Sequence, residues 1–272
     1  MSQAALRVTV VGAAGRMGRT VMQVLSEDTS SELVGALDAP GCPGQGKVIG
    51  VLAGVETSSV VLSDDIHATT KRAQVVIDFS SPGSTAKLLD VCLGLKLPAV
   101  IGTTGLDTEG KTRLGRLAAV APVVHAPNFS QGVTVMFYLA ELASRLLGES
   151  YDAEIVEMHH RHKVDAPSGT ALRLAEGVAK ARRLGSKAFT FGRDGQVGAR
   201  PSDQIGVLAL RGGGVVGDHT LILADPSERL ELVHRAQDRG VFARGAVRAA
   251  HWVVTQPAGL YDMFDVLGIN KS

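Results

Sequence analysis

The segment Leu6-Arg7-Val8-Thr9-Val10-Val11-Gly12-Ala13-Ala14-Gly15-Arg16-Met17-Gly18 decides the fold class of this chain. Its first part is a short β-branched run that ends at Gly12, which is typical of a strand buried on both faces. A helical stripe of apolar residues follows, formed by Met17, Val21, Val24 and Leu25. The glycines between these elements permit a tight turn and a close approach of the backbone to a pyrophosphate. The segment therefore predicts a strand, turn and helix that bind a dinucleotide.

The composition limits the kinds of protein that the chain can be. It has 272 residues, of which 45% are hydrophobic, so it can bury two domains or one large α/β domain. A formal charge of +1 and an aromatic content of 4% argue against a nucleic-acid partner. The two distant cysteines, Cys42 and Cys92, make neither a disulfide framework nor a metal motif. Neither a signal peptide nor a membrane-spanning stretch is evident, so we expect a cytoplasmic protein without a membrane partner.

Short apolar runs alternate with helix-length segments through the first part of the chain. After the opening strand, we expect strands at residues 32–38, 60–62, 75–79, 97–101 and 120–125, and a glycine-rich loop at 41–54. Such alternation favours a parallel sheet with helices on both faces. The fold class predicted is therefore α/β, a Rossmann-like doubly wound parallel sheet.

Beyond residue 129 the pattern changes. A long helix is predicted at 133–147 and another at 169–183, while longer alternating runs at 153–159, 204–211, 219–223 and 229–235 predict strands. Strands clustered in this way indicate a second, α+β domain with an open mixed or largely antiparallel sheet. Residues 241–254 return to helical periodicity. We expect a dinucleotide-binding domain at 1–129, a substrate and oligomerisation domain at 130–240, and a C-terminal segment at 241–272 that returns to the first domain.

Asp38 lies at the end of the predicted second strand, about twenty residues beyond the glycine loop, where a carboxylate binds ribose hydroxyls. That carboxylate repels the additional phosphate of NADP, and Ala39 offers no compensating cation. Arg16 and Lys47 could still approach a phosphate. The sequence thus favours NADH and leaves NADPH possible. Gly102-Thr103-Thr104-Gly105, after another apolar strand, forms either a further cofactor wall or a simple turn.

A second informative stretch is Glu157-Met158-His159-His160-Arg161-His162-Lys163-Val164-Asp165-Ala166-Pro167-Ser168-Gly169-Thr170. Histidine exchanges protons near neutral pH, and Lys163 supplies a fixed positive charge. If a strand ends at His159, then His159 and His160 point to opposite sides. Ser168, Gly169 and Thr170 open a helix, whose free backbone N–H groups suit a carboxylate. This stretch predicts a site that holds a small anionic substrate and donates a proton to it.

Two other interpretations of this stretch remain open. A run of lysine, arginine and histidine is often a solvated turn. It could also be a metal site, since His160 and His162 share strand parity and His125, Glu157 or His219 could add a ligand. The spacing matches no standard zinc motif, so we expect no metal.

These segments together resemble the 4-hydroxy-tetrahydrodipicolinate reductase (dihydrodipicolinate reductase) family of lysine and diaminopimelate biosynthesis. The resemblance covers essentially the whole chain. It includes the loop at residues 11–18, Ile101-Gly102-Thr103-Thr104-Gly105, Ala126-Pro127-Asn128-Phe129-Ser130, the 157–170 stretch and the tail at 259–268. Many members carry arginine after the ribose-binding acid, whereas this chain has Ala39.

The resemblance implies roles for particular residues. His159 would donate the proton, and Lys163 would be a second acid that assists the loss of water. The substrate-binding residues would be His160, Lys163, Ser168, Gly169 and Thr170, of which His160, Lys163, Gly169 and Thr170 would hold the substrate's carboxylates. The cofactor-binding residues implied are Gly12, Ala13, Ala14, Gly15, Arg16, Met17, Asp38, Gly102, Thr103, Thr104, Ala126, Pro127, Asn128 and Phe129. The family is usually a homotetramer, and closure of two domains on the ligands is expected.

We therefore expect an NAD(P)H-dependent oxidoreductase that reduces a cyclic imine dicarboxylate, with loss of water and transfer of a hydride. Three alternatives remain. The chain could be another two-domain nicotinamide enzyme, such as an amino-acid or sugar dehydrogenase, or a protein that senses NAD without turnover. The third is a metal-dependent hydrolase.

Overall fold

A computed structural model describes residues 4–55 and 59–269, except the side chains of residues 51 and 52. The N-terminal residues 1–3, where we expect no signal peptide, lie outside the described residues. The chain forms two compact units: Met1–Gln131 together with Arg239–Ser272, and Gly132–Asp238. Within the described part, no helix combines the length and the apolar character that crossing a membrane requires.

Strands and helices alternate along the first unit, as the apolar pattern predicts. They are β1 (Leu6–Val11), α1 (Arg16–Glu27), β2 (Ser31–Leu37), α2 (Ile49–Ala53), β3 (Leu62–Ser63), α3 (Ile66–Thr70), β4 (Val75–Asp78), α4 (Pro82–Leu95), β5 (Ala99–Ile101), α5 (Thr108–Ala118) and β6 (Pro122–His125). Helix α6 (Gln131–Leu147) begins at the last residue of the first unit's N-terminal segment and continues into the second unit. The second unit also contains β7 (Asp152–His159), α7 (Gly169–Ala181), β8 (Phe189–Thr190), β9 (Ile205–Arg211), β10 (Gly217–Ala224) and β11 (Arg229–Ala236). The chain then returns to the first unit with α8 (Gly240–Val253), β12 (Gly259–Tyr261) and α9 (Met263–Val266).

One sequence expectation about the first unit is wrong. We expected residues 41–54 to be a loop, but α2 occupies its C-terminal end. Ile49 and Ala53 are buried in the core, and the Gln23 side-chain amide donates to the Ala53 carbonyl at 2.8 Å. Gly54, with φ +69°, ends the helix. So short a helix is stabilised by packing against α1 rather than by its local sequence.

The sheet of the first unit has the order β12-β6-β5-β4-β1-β2-β3, and its described pairings are all parallel. Successive residues of a strand point to opposite faces. Val75 and Ile77 of β4 accordingly pack with α1 and α8, whereas Val76 packs with α4 and α5. After β1 the chain adds strands β2 and β3 on one side of the sheet, and from β4 onward it adds strands on the other side. A crevice therefore opens at the carboxyl ends of the neighbouring strands β1 and β4. The doubly wound parallel sheet is confirmed.

The second unit contains one sheet in the order β11-β10-β7-β9-β8. Strands β11, β10 and β7 pair antiparallel, but β7 with β9 and β9 with β8 pair parallel. The sheet is therefore mixed, which confirms the first of the two arrangements expected, an open mixed or largely antiparallel sheet. The reason is the connection: α7 lies between β7 and β8 in the chain and crosses one face of the sheet, which returns the next strands in the same direction.

Candidate active site

The glycine loop of the first unit is sterically tight. Gly12 has φ +75°, and a Cβ at this position would lie 2.6 Å from the Phe79 carbonyl oxygen. A Cβ on Gly18 would lie 2.1 Å from the Gly12 carbonyl oxygen. Both positions therefore require glycine, the first for its backbone conformation and the second for the close packing of α1 on the turn.

The start of α1 can receive an anion. Gly15 is its N-cap and provides no side-chain hydrogen bond, and Arg16 is exposed beside it. Backbone N–H groups at a helix start carry partial positive charge and bind phosphates. Ala13 and Ala14 hold the turn that precedes the helix, since their N–H groups donate to the Leu37 carbonyl at 3.0 Å and to Asp38 Oδ2 at 2.7 Å. The loop and helix start thus fit a dinucleotide's pyrophosphate.

A cavity of about 410 Å³ lies at the carboxyl ends of β1, β2 and β4. Asp38 lines it, with its two carboxylate oxygens accepting hydrogen bonds from the N–H groups of Ala14 and Ala39. A carboxylate has further lone pairs, so ribose hydroxyls can still donate to Asp38. Lys87 on α4 also lines this cavity and is a cation that the sequence did not suggest.

A second cavity, of about 310 Å³, brings together residues from separate segments of the first unit. Its lining is Met17, Phe79, Gly102, Pro127, Asn128, Phe129, Arg239 and Phe242. Phe79 and Phe129 contact each other edge to face, with ring centroids 5.6 Å apart. The largely apolar lining suits a planar ring such as nicotinamide. The sequence did not predict that Arg239 and Phe242 would line this cavity, because they follow the second unit in the chain. They lie here because the chain returns to the first unit after residue 238.

The remaining cofactor candidates lie around this cavity without lining it. Thr103 is buried, and its hydroxyl donates to Asp78 at 3.2 Å. Ala126 is also buried, while Thr104 is exposed. Burial lowers the pKa of the neighbouring His125, which is therefore neutral.

In the second unit, the buried face of β7 ends in two titratable residues. Every second residue of the strand is buried, namely Ala153, Ile155, Glu157 and His159. Glu157 pairs with His219 on β10, and His159 pairs with Arg211 on β9. The apolar stripe of the strand thus turns, at its carboxyl end, into a charged cluster formed by Glu157, His159, Ser168, Arg211 and His219, which we name the Glu157 cluster.

Glu157 is the centre of this cluster and is fully buried. Its Oε2 lies 2.6 Å from His159 Nδ1 and accepts from Arg211 at 2.8 Å. Its Oε1 accepts from Arg211 at 2.9 Å and from the Ser168 N–H at 3.0 Å. Burial by itself raises the pKa of Glu157, but the hydrogen bonds from Arg211, His159 and Ser168 outweigh it, so this pKa lies below its ordinary value. The carboxylate is ionised at neutral pH.

His219 and Ser168 complete the cluster. Burial lowers the pKa of His219 from 6.5 to about 3, so its ring is neutral. Its Nε2 lies 3.1 Å from the Ser168 hydroxyl, which also accepts from the Ala171 N–H as the N-cap of α7. Each polar group of Ser168 therefore has a partner inside the protein. The geometry gives Ser168 a role in holding the start of α7, and its predicted contact with the substrate stays a prediction.

The other candidates of this stretch are more exposed. Lys163 donates to Asp165 at 2.8 Å, and this bond holds the pKa of Asp165 below its ordinary value. The His160 and His162 rings lie 6.2 Å apart. Gly169 and Thr170 are the first residues of α7, and the start of a helix carries partial positive charge. The cluster, Lys163 and the start of α7 belong to one unit, and the dinucleotide loop belongs to the other.

The structure adds nothing to the metal interpretation. Across residues 4–55 and 59–269, histidine, cysteine and acidic side chains form no group of three or more arranged to hold a metal ion. Glu157 and His219, considered above as ligands, are engaged with Arg211 and Ser168.

Comparison with known proteins identifies the family. Residues 6–129 match the family model of the dihydrodipicolinate reductase N-terminus, and residues 132–267 match that of its C-terminus. A 4-hydroxy-tetrahydrodipicolinate reductase from Thiobacillus denitrificans is 46% identical over 97% of this chain and 99% of the relative. Another, from an Anaeromyxobacter species, is 47% identical over 98% of this chain and 99% of the relative.

Solved structures agree with the sequence relatives. A dipicolinate-bound dihydrodipicolinate reductase from Paenisporosarcina sp. TG-14 superposes with a TM-score of 0.76 at 25% identity, covering 96% of this chain and 98% of that one. A probable dehydrogenase from Thermotoga maritima shares the fold alone, with a TM-score of 0.59 at 12% identity over 97% of this chain and 93% of that one. The family models, the relatives and the fold agree: the chain belongs to the dihydrodipicolinate reductase family.

Proposed function

We propose that this protein catalyses the NAD(P)H-dependent reduction of 4-hydroxy-tetrahydrodipicolinate to tetrahydrodipicolinate, with loss of water. The observation that carries the proposal is the Glu157 cluster, in which one ring nitrogen of His159 is bound to a carboxylate and the other makes no hydrogen bond among the described residues. The name and high identity of the relatives support the same substrate. The reaction consumes one substrate, one reduced nicotinamide and one proton, and it yields product, oxidised nicotinamide and water.

The first unit fits a nicotinamide dinucleotide. Asp38 suits the adenosine ribose, the start of α1 suits the pyrophosphate, and the cavity lined by Phe79, Gly102 and Phe129 suits the nicotinamide. Bound there, the reduced nicotinamide supplies the hydride. The residues assigned to this role are Gly12, Ala13, Ala14, Gly15, Arg16, Met17, Asp38, Gly102, Thr103, Thr104, Ala126, Pro127, Asn128 and Phe129.

His159 donates the balancing proton to the substrate. Its Nε2 takes part in none of the hydrogen bonds seen among the described residues, while its Nδ1 is held by Glu157. Lys163 is the second acid and assists departure of the 4-hydroxyl as water. Its ammonium, positioned by Asp165, is partly buried, with the side chain 21% exposed.

The substrate carries two carboxylates, and the second unit offers two places for them. His160 and Lys163 bind one by charge and hydrogen bonding. Gly169 and Thr170 bind the other through the backbone N–H groups and hydroxyl at the start of α7. Dipicolinate, present in the related solved structure, has the same pair of carboxylates on a ring.

NADH is the preferred cofactor, and NADPH is also accepted. Asp38 repels a 2′-phosphate, and Ala39 supplies no cation to balance it. Lys87 in the same cavity provides a positive charge that keeps NADPH binding possible. By analogy with the family, we further propose a cytoplasmic homotetramer, in which residues 130–240 provide the substrate site and the subunit contacts, 1–129 bind the cofactor and 241–272 return to the cofactor domain.

The test is NADH oxidation with the freshly made condensation product of pyruvate and aspartate semialdehyde. The wild-type protein should oxidise NADH only when this product is present, and dipicolinate should inhibit competitively. His159→Gln and Lys163→Ala should each lose turnover by on the order of 10²-fold or more. Both variants should bind NADH as the wild type does.

His162→Gln is the matched control, because His162 belongs to the same stretch, is exposed and has no assigned role. It should retain wild-type turnover. An inactive wild-type protein would refute the proposed substrate, whereas full turnover in both His159→Gln and Lys163→Ala would refute the proposed roles.

A further inference from the structure

The hydrogen bonds around Glu157 determine which nitrogen of His159 carries a proton. An ionised carboxylate only accepts hydrogen bonds. Oε2 lies 2.6 Å from His159 Nδ1, so Nδ1 must be the donor and carry the hydrogen. In the neutral ring, Nε2 then has the free lone pair, and in the protonated ring Nε2 carries the exchangeable proton.

Arg211 fixes the carboxylate itself. Its two terminal nitrogens donate to separate oxygens of Glu157, at 2.8 and 2.9 Å. This two-point contact prevents rotation of the carboxylate and favours its ionised form. The Ser168 N–H adds a fourth bond to the same group, at 3.0 Å. Arg211 and the Ser168 N–H both donate to the Glu157 carboxylate and favour its ionised form. Glu157 therefore accepts the hydrogen bond from His159 and does not donate it.

We infer that Glu157 is a positioning residue, which holds His159 in the Nδ1–H tautomer so that Nε2 alone exchanges protons with the substrate, and that Arg211 holds Glu157 for this purpose. The inference rests on the proposed function for the identity of the substrate, but the tautomer itself is a property of the protein alone. A simpler role, in which Glu157 only ties α7 to the sheet through Ser168, leaves the tautomer of His159 undetermined.

Replacement of Glu157 by Gln distinguishes these roles. Oε1 accepts from two groups that can only donate, Arg211 and the Ser168 N–H, so the amide oxygen of Gln should occupy the Oε1 position. Its NH₂ group would then face His159 Nδ1. An NH₂ group donates, so Nδ1 would have to accept, and the hydrogen would move to Nε2. In the variant the neutral ring therefore has the opposite tautomer.

Glu154→Gln is the matched control for this substitution. Glu154 lies on the same strand and is likewise paired with arginines, Arg193 at 2.7 Å and Arg200 at 2.9 Å. Among the hydrogen bonds and ion pairs of the described residues, Glu154 has none to a histidine. Each variant replaces a glutamate of β7 that is bound to arginine. Only Glu157→Gln should affect His159.

The experiment combines tautomer detection with kinetics. Protein labelled with ¹⁵N at histidine reports protonation of each ring nitrogen by NMR without any ligand, and the His159 signals are those missing from His159→Gln. Wild type and Glu154→Gln should show the Nδ1–H tautomer, and Glu157→Gln the Nε2–H tautomer. The kcat of Glu157→Gln should fall by on the order of 10² to 10⁴-fold, as is typical when a tautomer-fixing carboxylate becomes an amide. Its NADH Kd should not change.

Each outcome decides the inference. An Nε2–H tautomer in the wild-type protein would overturn it, even if Glu157→Gln did not fold. So would a folded Glu157→Gln variant whose kcat matches that of Glu154→Gln. If the wild type has the expected tautomer but does not turn over this substrate, the proposed function fails and the positioning of His159 stands.

Discussion

Asp78, at the end of β4, accepts a hydrogen bond of 3.2 Å from the hydroxyl of Thr103, which follows β5. The same carboxylate oxygen accepts from Thr85 on α4 at 2.5 Å, and the other oxygen accepts from the Ser80 N–H at 2.9 Å. Asp78 is fully buried, and burial raises its pKa although these hydrogen bonds oppose the change. One carboxylate therefore joins two segments that border the proposed cofactor cavities.

Asp78→Asn should weaken both the fold and the binding of NADH. An amide cannot accept from three donors in this geometry, and an unsatisfied buried group costs about 1–3 kcal/mol. Urea unfolding should show a loss of this size, and fluorescence titration should show a higher NADH Kd. Thr103→Ser keeps the hydroxyl and should bind NADH as the wild type does. An unchanged Kd in Asp78→Asn would show that the segment around Thr103 does not depend on this carboxylate.

Local patterns in the sequence were sufficient to predict the architecture of the first unit. A strand buried on both faces, a turn that requires Gly12 and an acid at Asp38 are all defined by short stretches of sequence. Helix α2, which lies in a segment that we expected to be a loop, was not predictable in this way, because the burial of Ile49 and the packing of α2 against α1 are tertiary effects.

Only part of the Glu157 cluster could be predicted from the sequence. Alternation along β7 places Glu157 and His159 on one face, and this could have been read from their spacing. Arg211 and His219 come from other strands, and their positions depend on a sheet register that no local pattern encodes. The expectation of a mixed or largely antiparallel sheet also did not specify the parallel pairing of β9 with β7, which brings Arg211 to Glu157.

Cofactor preference should respond to the residue after Asp38. Ala39→Arg places a guanidinium at the edge of the cavity that Asp38 and Lys87 line, where it can bind a 2′-phosphate. We expect the Kd for NADPH to fall by roughly tenfold, equivalent to about 1.4 kcal/mol, with little change for NADH. Fluorescence titrations with both nucleotides measure this difference. Ala39→Gln adds size without charge and should leave the ratio unaltered, and equal shifts for both nucleotides would contradict a phosphate contact.

His219 should make the protein less stable in mild acid. Burial lowers its pKa from 6.5 to about 3, so between these values the unfolded chain binds a proton that the folded chain excludes. The free energy of unfolding therefore decreases as pH falls through this range, by up to about 1.4 kcal/mol for each pH unit. Glu157, whose pKa is lowered, adds a loss in the same direction at pH values below its ordinary pKa of 4.5.

His219→Gln isolates this contribution, because glutamine does not titrate and can still bond to Ser168. Urea unfolding should be measured at about pH 7 and about pH 5, because both values lie above the pH range in which Glu157 contributes to the change in stability. The wild type should lose more stability between these two values than the variant. Identical losses would mean that His219 is protonated in the folded protein.

Gly217, the first residue of β10, should control access to His159. A Cβ built on Gly217 would lie 3.0 Å from His159 Nε2, the nitrogen that we assign to proton donation. The backbone of Gly217 has no positive φ, so alanine is compatible with its conformation. Gly217→Ala should therefore reduce kcat by crowding Nε2, while NADH affinity remains that of the wild type.

Gly214→Ala is the matched control for this variant. Gly214 lies in the connection between β9 and β10, just before Gly217, and also lacks a positive φ. A Cβ on Gly214 would meet no atom of the described residues within 4 Å. Steady-state kinetics should show wild-type turnover for Gly214→Ala and reduced turnover for Gly217→Ala, with similar melting temperatures. Because the added methyl group touches the ring only at its Nε2 edge, a Gly217→Ala variant with normal kcat would mean that the proton leaves His159 by another route.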